Sequence, residues 1–259
     1  MQADIETLER ATLAAVSPDA QLEQDGWLLG FDSGTIWRAK SAAPLAHVAL
    51  SAAQATRCIA AIERQYQGRA TGSARGAIFR LADVPCFDNF RHQLGEYGYT
   101  PVKPTWVQVA PVRAMLQVTQ GEPADVDLAP DEAWAGLFLG EGLDPADGAS
   151  RIRNLARAPA NVYASVREGG PTGRQTLAGG AASFSHGWAS VHGMRTHAQH
   201  RGQGLAGRVL KALALAAQER GLHQVFLQVE AGNTGAQALY QRAGFQTVWI
   251  YHYWQKINR

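Results

Sequence analysis

One short stretch of the chain decides most of its interpretation, and it reads His200-Arg201-Gly202-Gln203-Gly204-Leu205-Ala206-Gly207. A strand-like run precedes it, and apolar residues follow at helical spacing at Leu205, Val209, Leu213 and Ala216. Closely spaced glycines let the backbone approach a ligand, and the first turn of a helix presents unpaired N–H groups at the positive end of the helix dipole. The stretch therefore predicts a strand–turn–helix unit that binds an anion such as a pyrophosphate.

The glycine spacing alone leaves the identity of the nucleotide open. Gly202, Gly204 and Gly207 satisfy the Gly-x-Gly-x-x-Gly pattern of dinucleotide-binding folds. These folds also need an acidic residue that binds the ribose, at the end of the next parallel strand. Glu230 ends such a predicted strand, although it lies somewhat farther along the sequence than usual. A nicotinamide-dependent oxidoreductase is therefore an alternative, although its glycine turn should come early in a βαβ domain. A P-loop is excluded because no Gly-Lys-Ser/Thr sequence ends the turn.

The overall composition is that of a folded protein large enough for two domains. The chain has 259 residues, of which 46% are hydrophobic and 18% are charged. Residues Met115 to Asp131 are rich in glycine, proline and aspartate, and we place a domain boundary there. The expected units are an N-terminal domain of residues 1–115 and a second domain of residues 122–259.

Hydrophobic periodicity and turn residues predict an α/β (α+β) fold with a mixed central sheet flanked by helices. Helices are expected at Asp4 to Val16, Ser51 to Gln67 (stopped by Gly68), Asp88 to Glu96, Asp131 to Leu143, Pro145 to Arg157, Leu205 to Arg220 and Thr234 to Ala243. Strands are expected at Gly26 to Phe31, Thr35 to Lys40, Gly76 to Leu81, Thr105 to Ala110, Leu116 to Thr119, Val162 to Arg167, Leu177 to Ser185, Trp188 to Thr196, Gln224 to Glu230 and Thr247 to Lys256, with a hairpin turn at Glu168 to Gly173.

The net charge and the cysteine content limit the cellular compartments and the binding partners that we expect for this protein. The net charge is +2 with an isoelectric point near 8.6, which does not favour nucleic acid as a partner. Cys58 and Cys86 are too few and too far apart for a disulfide framework or a CxxC site, which favours a reducing compartment. No signal peptide and no apolar run of about 20 residues is evident, so we expect a soluble, cytoplasmic protein without a membrane partner.

Two blocks of the sequence resemble those of the GNAT superfamily of N-acetyltransferases. Residues Arg201 to Ala206 fit the Arg/Gln-x-x-Gly-x-Gly/Ala signature, and Asn233 to Phe245 resemble the Asn-x-x-Ala-x-x-Leu-Tyr-x-x-x-Gly-Phe block. The close resemblance covers about residues 188–246, and a looser one in element order reaches back to about Asp125. The resemblance implies a CoA-binding C-terminal half.

The N-terminal half is similar to the degenerate lobe of tandem-GNAT proteins. Tyr97-Gly98-Tyr99 precedes an aromatic strand with Trp106, as Ala243-Gly244-Phe245 precedes one with Trp249. This echo indicates two related GNAT-like lobes. Because the N-terminal lobe lacks the Arg/Gln-x-x-Gly-x-Gly/Ala block, we assign no CoA site to it.

The resemblance further implies acetyl-CoA as co-substrate, no metal, and a set of binding residues. Backbone amides from Arg201 to Ala206 would hold the pyrophosphate, the strand from Met194 to Thr196 would pair with the pantetheine arm, and Asn233 would contact the cofactor as well as cap a helix. The binding residues expected are thus Met194, Arg195, Thr196, Arg201, Gly202, Gln203, Gly204, Leu205, Ala206 and Asn233.

Two residues are the catalytic candidates. By resemblance Tyr240 is the general acid that protonates the departing thiolate or stabilises it by a hydrogen bond. The alternative is a core position, since Ala236, Leu239, Tyr240 and Ala243 form a stripe at helical spacing. For the general base, some relatives use a glutamate where this sequence has Gln228.

Glu230 lies two residues after Gln228 on the same strand face, so Glu230 is the candidate base. Its alternative is a solvent-facing acid at a strand end. Glu141, His192 and His197, or a water relay, are further options for the base.

The expected reaction is acetyl transfer from acetyl-CoA to the primary amine of a small molecule, by direct attack through a tetrahedral intermediate. An acyl-CoA sensor without turnover, or an acetyltransferase of protein N-termini or lysines, are the alternatives. A homodimer contact is one candidate role of the N-terminal lobe. Trp249, Tyr251, Tyr253 and Trp254 either line the acceptor pocket or belong to the sheet core.

Overall fold

The computed structural model describes residues 4–67, 69, 76–140, 143–159, 161–169 and 175–256. One continuous sheet of eleven strands forms its centre, with helices packed against it. The strands are β1 (Ala20–Gln24), β2 (Trp27–Phe31), β3 (Ala42–Pro44), β4 (Phe79–Ala82), β5 (Tyr99–Pro111), β6 (Asp125–Asp127), β7 (Val162–Arg167), β8 (Thr176–Ser185), β9 (Trp188–Thr196), β10 (Gln224–Glu230) and β11 (Gln246–Lys256). The helices are α1 (Ile5–Val16), α2 (Ala52–Gln67), α3 (Asp88–Glu96), α4 (Val112–Leu116), α5 (Glu132–Ala135), α6 (Pro145–Arg157), α7 (Leu205–Glu219) and α8 (Thr234–Arg242).

The two longest strands, β5 and β11, lie side by side at the middle of the sheet. Each also pairs with a strand from the other half of the chain. The strand order is β1-β2-β3-β4-β11-β5-β10-β9-β8-β7-β6. Strand β5 comes from the N-terminal half but pairs with β10, whereas β11 comes from the C-terminal end but pairs with β4. Apart from the additional edge strand β6, the order is therefore symmetric about the β5–β11 pair, with one parallel pair on each side, β3–β4 and β9–β10.

This symmetry explains the repeated glycine–aromatic pattern. Gly98 and Gly244 have φ angles of +79° and +84°, and each follows a helix and leads into a central strand. A left-handed residue after a helix is the ordinary role of glycine there. The mixed sheet with flanking helices confirms the predicted fold class. The division into domains of residues 1–115 and 122–259 stays a prediction, since the sheet is continuous across it.

Most elements have the expected bounds, and those of α3, α6, β7, β9 and β10 match residue for residue. The strand predicted at Thr35 to Lys40 is wrong, because Trp37–Lys40 form a 3-10 helix. Ile36 and Ala39, three residues apart, share a small core cluster, and that spacing suits a 3-10 turn better than a strand.

Two further element predictions need correction. Leu116 ends α4, so no strand occupies Leu116 to Thr119, because Val112 and Met115 bury one helical face in the core. The single helix expected at Asp131 to Leu143 is α5 followed by a 3-10 helix at Gly136–Phe138. The sequence analysis did not predict the short strands β1, β3 and β6. Gly68, the predicted helix stop, and most of the turn predicted at Glu168 to Gly173 lie outside the described residues.

Helix α1 packs across the sheet of the opposite half of the chain. Its Thr7 Oγ1 accepts a hydrogen bond from Trp188 Nε1 on β9 at 3.0 Å. In return α6 holds the turn after β2, where Asp147 accepts from Thr35 Oγ1 at 2.7 Å. Each half therefore covers part of the other. Among the described helices, none has both the length and the apolarity needed to cross a membrane.

An ion pair between Glu9 of α1 and Arg80 of β4 is buried in the core, where the side chains are 6% and 3% exposed. The Arg80 guanidinium also lies 5.3 Å from the ring centroid of Tyr251 on β11. The pair thus joins α1 to the centre of the sheet.

Replacing Glu9 with alanine leaves the Arg80 charge unpaired in the core. We expect Glu9→Ala to lower the free energy of unfolding by about 3–5 kcal/mol in urea denaturation. The control is Glu6→Ala on the same helix, which breaks an exposed pair with Arg10 and should cost less than about 1 kcal/mol. The double variant Glu9→Leu/Arg80→Met should recover much of the loss; equal effects of the two glutamate variants would contradict the role of the buried pair.

Candidate active site

The parallel strands β9 and β10 separate towards their C-terminal ends. They pair only at Ala189 with Val225, Ser190 with Phe226 and Val191 with Leu227. Beyond these positions β9 continues to Thr196 and β10 to Glu230 without pairing to each other. The backbone edge of β9 that faces this gap is therefore available to a ligand, as an edge strand is to an added strand.

A β-bulge in β9 lies at the start of the gap. Opposite β8, Arg195 pairs with Gly179 and His192 with Ala181, so two residues of β9 face the single residue Gly180. Gly193, in the bulge, has φ +60°, and a Cβ there would lie 3.2 Å from both Leu155 Cδ1 and Phe138 Cζ. Glycine is thus required, and the bulge bends the strand.

The bulge determines the orientation of Met194, Arg195 and Thr196, the residues expected to bind the pantetheine arm. The Met194 side chain packs against β8, where a Cβ on Gly180 would lie 2.4 Å from Met194 Sδ. The Arg195 guanidinium lies 5.3 Å from the Phe138 ring centroid on the other side of the sheet. Burial and the positive charge of Arg151 lower the pKa of Arg195. Thr196 stays paired with Ala178 of β8, which leaves the opposite backbone edge of the strand end facing the gap.

The glycine turn leads directly into α7 and is exposed from Arg201 to Gly204. Gly202 and Gly204 have φ angles of +78° and +77°, with open space where a Cβ would stand. Gly204 is the N-cap residue of α7, and no side chain caps the helix or places an acid in its first turn. Helices α1, α5, α6 and α8, in contrast, are all capped by an aspartate or asparagine side chain.

The uncapped end of α7 suits an anion. Its first N–H groups and the positive end of the helix dipole point to the open side of the turn, next to Arg201. Leu205 and Ala206, which begin the helix, are partly buried. The donors present, backbone amides with a neighbouring guanidinium, fit a pyrophosphate.

Asn233 caps α8, as predicted. Its Oδ1 accepts a hydrogen bond from the backbone N–H of Ala236 at 3.2 Å. The residue is exposed at the C-terminal end of the gap-forming strand β10. The capping hydrogen bond gives the side-chain oxygen of Asn233 a structural role. A contact between Asn233 and the cofactor stays a prediction.

Tyr240 lies in the core against α7 and is 7% exposed. Its ring packs edge-on against Phe245 with centroids 5.8 Å apart, and its hydroxyl makes no hydrogen bond to any described residue. Burial raises the pKa of Tyr240 to about 12. The phenol therefore remains protonated at neutral pH, where it is a hydrogen-bond donor without a protein acceptor among the described residues.

Gln228 is held in place from three sides. Its Nε2 donates to Thr12 Oγ1 of α1 at 2.9 Å, and its Oε1 accepts from the Tyr251 hydroxyl at 2.9 Å. Arg38 Nη1, from the 3-10 helix, approaches the same Oε1 at 3.4 Å. The amide that replaces the glutamate of some relatives is thus a junction between α1, β10 and β11.

Glu230, the candidate base, is the last residue of β10 and is exposed. It lies opposite Thr105 of β5, and its backbone oxygen accepts from the Asn233 amide at 2.9 Å. Glu230 lies beyond the last paired residues of β9 and β10, and strand alternation puts it on the same face of β10 as Gln228.

The other candidate bases differ in their surroundings. His192 is buried, with Nε2 2.8 Å from Ser190 Oγ. Burial, and secondarily the charge of Arg38, lower the pKa of His192 to about 3, so its imidazole is neutral but weakly basic at pH 7. His197 Nδ1 is buried without a partner among the described residues. Glu141 lies outside the described residues.

The aromatic residues of β11 prove to be core residues whose polar ends reach the site. Trp249, Tyr251 and Tyr253 are buried in the main N-terminal core cluster, while Trp254 packs against it. The Tyr251 hydroxyl contacts both Gln228 and, at 3.3 Å, the Tyr253 hydroxyl. We call Arg38, His192, Gln228, Tyr251 and Tyr253 the polar cluster; it lies on the α1 side of the sheet.

The corresponding place in the N-terminal half is built differently. The connection from β3 to α2, which matches the glycine turn by symmetry, contains no glycine. In this connection the partly buried His47 ring packs edge-on against Phe87 and Trp249, at centroid distances of 5.3 Å and 5.2 Å. Aromatic packing therefore occupies the position that the glycine turn has in the C-terminal half.

The strand arrangement does not fit the dinucleotide-binding alternative. That fold needs several adjacent parallel strands joined by helices. Here β9–α7–β10 is a single parallel crossover, and the next neighbour of β10 is the antiparallel strand β5. The Gly-x-Gly-x-x-Gly spacing is thus incidental to a different fold.

Comparison with known proteins agrees with this architecture. Residues 135–245 match the model of the acetyltransferase (GNAT) family. The GCN5-related N-acetyltransferase from Kribbella flavida has a TM-score of 0.72 at 16% identity, with 100% of this chain and 98% of that chain covered. A functionally unknown conserved protein from Staphylococcus epidermidis has a TM-score of 0.66 at 10% identity, with 94% and 96% covered.

A two-lobed relative also covers the whole chain. A tandem GNAT protein from the clavulanic acid biosynthesis pathway has a TM-score of 0.61 at 12% identity, with 100% of this chain and 97% of that chain covered. At these identities the likeness to solved structures concerns the fold. No curated protein matches the sequence.

Proposed function

Because residues 135–245 match the model of the acetyltransferase (GNAT) family, we propose that this protein transfers an acetyl group from acetyl-CoA to the primary amine of a small molecule. The observation that carries the proposal is the gap between β9 and β10 beside the uncapped, glycine-rich start of α7. One feature offers backbone hydrogen bonds to an extended arm, and the other offers an anion site for a pyrophosphate.

In this proposal the residues Arg201 to Ala206 hold the pyrophosphate through backbone amides. The free edge of β9 from Met194 to Thr196 aligns the pantetheine arm, so that the thioester reaches the point where β9 and β10 separate. Backbone donors near Met194 polarise the thioester carbonyl, and the neutral amine attacks it directly to form a tetrahedral intermediate.

Tyr240 is the proposed partner of the leaving sulfur. A phenol with a pKa of about 12 is a much weaker acid than a thiol with a pKa of about 8.5. Full proton transfer to the thiolate would be uphill by about 5 kcal/mol at 1.36 kcal/mol per pKa unit. Tyr240 therefore acts chiefly by donating a hydrogen bond to the sulfur, which stabilises its developing charge.

Glu230 is the proposed proton acceptor for the attacking amine, directly or through a water molecule. Glu230 is exposed at the end of β10, beyond its last residue paired with β9, whereas the buried His192 is too weakly basic for this role. The amide of Gln228 cannot accept the proton and instead fixes the wall of the site.

A small acceptor is favoured by the cover that the N-terminal half provides. The segment around Thr35 and Arg38 reaches α6 on one side and Gln228 on the other, and so crosses the α1 side of the gap. A protein N-terminus or lysine tail needs an open groove there. An acyl-CoA sensor without turnover would have no use for a phenol without a protein hydrogen-bond partner at the position of Tyr240.

The first test is calorimetric titration with acetyl-CoA, with NADH and NADPH as ligand controls. We expect saturable binding of acetyl-CoA alone, and a loss of affinity of at least about 100-fold in Gly204→Glu, where a carboxylate meets the anion site. The matched control is Gly187→Glu in the β8–β9 turn, whose φ of +78° and open Cβ position impose the same backbone strain. Equal binding by both variants would contradict the pyrophosphate site.

Removing the Tyr240 hydroxyl tests its role at the leaving group. We expect Tyr240→Phe to lower kcat by about 10- to 100-fold with acetyl-CoA affinity unchanged, because the hydrogen bond forms to charge that develops during reaction. Tyr66→Phe is the control, since Tyr66 is also a buried tyrosine and donates only to the Gly30 carbonyl. Unchanged turnover in Tyr240→Phe would assign that tyrosine to the core alone.

Replacing Glu230 with glutamine keeps its size and removes the proton acceptor. We expect Glu230→Gln to lower kcat/KM for the amine by about 10²-fold or more at neutral pH, with a smaller loss at high pH, where more amine is already neutral. Glu219→Gln, an exposed substitution at the end of α7, is the control. A pH-independent loss would instead indicate a role for Glu230 in binding.

A further inference from the structure

The polar cluster contains a guanidinium with no acidic partner among the described residues. Arg38 Nε is buried without a hydrogen bond, and Nη1 makes only the long contact of 3.4 Å to Gln228 Oε1. What distinguishes Arg38 is the missing carboxylate: Arg80 also has unbonded Nε and Nη1 atoms but pairs with Glu9, and Arg167 pairs with both Asp127 and Asp131. Arg38 is thus a partly buried cation with spare donors.

The position of Arg38 is fixed by the backbone on both sides of it. Ala39 and Ile36 are buried in a core cluster with α1, and the Thr35 amide and hydroxyl are bound by Ser150 and Asp147 of α6. Arg38 therefore stands on a well-anchored turn. The residue as a whole is partly exposed, although its Nε is buried.

Arg38 also lies on the correct side of the sheet to meet the acceptor. Along β10, Leu227 and Val229 belong to the core beneath α7, whereas Gln228 points to the α1 side, where it meets Arg38. The glycine turn lies on the α7 side of the sheet, where it leads into that helix. Arg38 is thus separated by the sheet from the proposed pyrophosphate site and faces the opposite opening of the gap.

Partial burial of a guanidinium without an anion has a cost, and a carboxylate is its best-matched ligand. Burial removes hydration from the charge, and only an opposite charge with good hydrogen-bond geometry compensates for this loss. The planar guanidinium binds a carboxylate through two parallel N–H···O bonds. Gln228 Oε1 already accepts from Tyr251, so the protein offers Arg38 no comparable acceptor.

We propose that the acceptor amine carries a carboxylate, and that Arg38 binds it. The substrate class is then amino acids and related carboxylated amines. This inference rests on the proposed acetyl transfer, because it takes the acceptor to enter from the α1 side of the gap. Arg38, supplied by the N-terminal half, is accordingly a specificity-determining residue for chemistry performed by the C-terminal half.

Matched pairs of amines that differ only by a carboxylate test the proposal. Acetyl transfer is measured as thiol release with phenylalanine and phenethylamine, histidine and histamine, and tryptophan and tryptamine, with product mass as confirmation. We expect turnover of at least one α-amino acid, with kcat/KM higher than that of its decarboxylated partner by about 10- to 100-fold.

The variants assign this preference to Arg38. Arg38→Ala and Arg38→Gln should lose the preference for the carboxylated member by raising its KM, with the decarboxylated member changed by less than about threefold. Arg57→Ala, an exposed arginine on α2, is the control and should keep the preference. Acetyl-CoA affinity by calorimetry and the urea unfolding midpoint should be unchanged in Arg38→Gln.

The outcomes separate this inference from the proposed function. Wild-type protein that binds acetyl-CoA but acetylates no carboxylated amine, or prefers the decarboxylated members, overturns the inference alone. Equal losses for both members of a pair in Arg38→Gln also overturn it, because they indicate a structural role. Failure to bind acetyl-CoA at all refutes the proposed function and the inference with it.

Discussion

The pairing of β5 with β11 at the centre of the sheet is the constraint on which the rest of the structure depends. Each of these strands completes the sheet of the half from which it does not come, β5 beside β10 and β11 beside β4. Neither half therefore has a complete sheet without a strand of the other. Cross-strand backbone hydrogen bonds, the most directional interaction available, set the relative position of the halves.

This shared sheet explains why the candidate site draws on the whole chain. The gap between β9 and β10 and the glycine turn come from the C-terminal half, but α1 and the turn around Arg38 cover one side of the gap. Gln228 connects these parts through Thr12 and Tyr251. The N-terminal half, whose own β3–α2 connection is packed with aromatic rings, contributes Thr12 and Arg38 to the surroundings of Gln228.

Differences in burial give the polar residues near the gap different protonation states and therefore different candidate roles. Burial keeps the Tyr240 phenol protonated, which suits a hydrogen-bond donor, and it makes the His192 imidazole a weak base. Glu230, the last residue of β10, is exposed. The amide of Gln228 donates to Thr12 and accepts from Tyr251 at the same time, so it suits a fixed hydrogen-bonding junction.

The sequence by itself determined the features that depend on local chemistry: the fold class, the glycine turn before α7, the Asn233 cap, and most helices and long strands, because periodicity and caps act over a few residues. It misjudged the turn at Thr35 to Lys40, where contacts with α6 and α1 decide the conformation. Only the tertiary structure decided that β5 and β11 exchange partners and that Arg38 meets Gln228, which lies 190 positions away. Such pairings depend on long-range packing, for which the sequence of either segment carries no local signal.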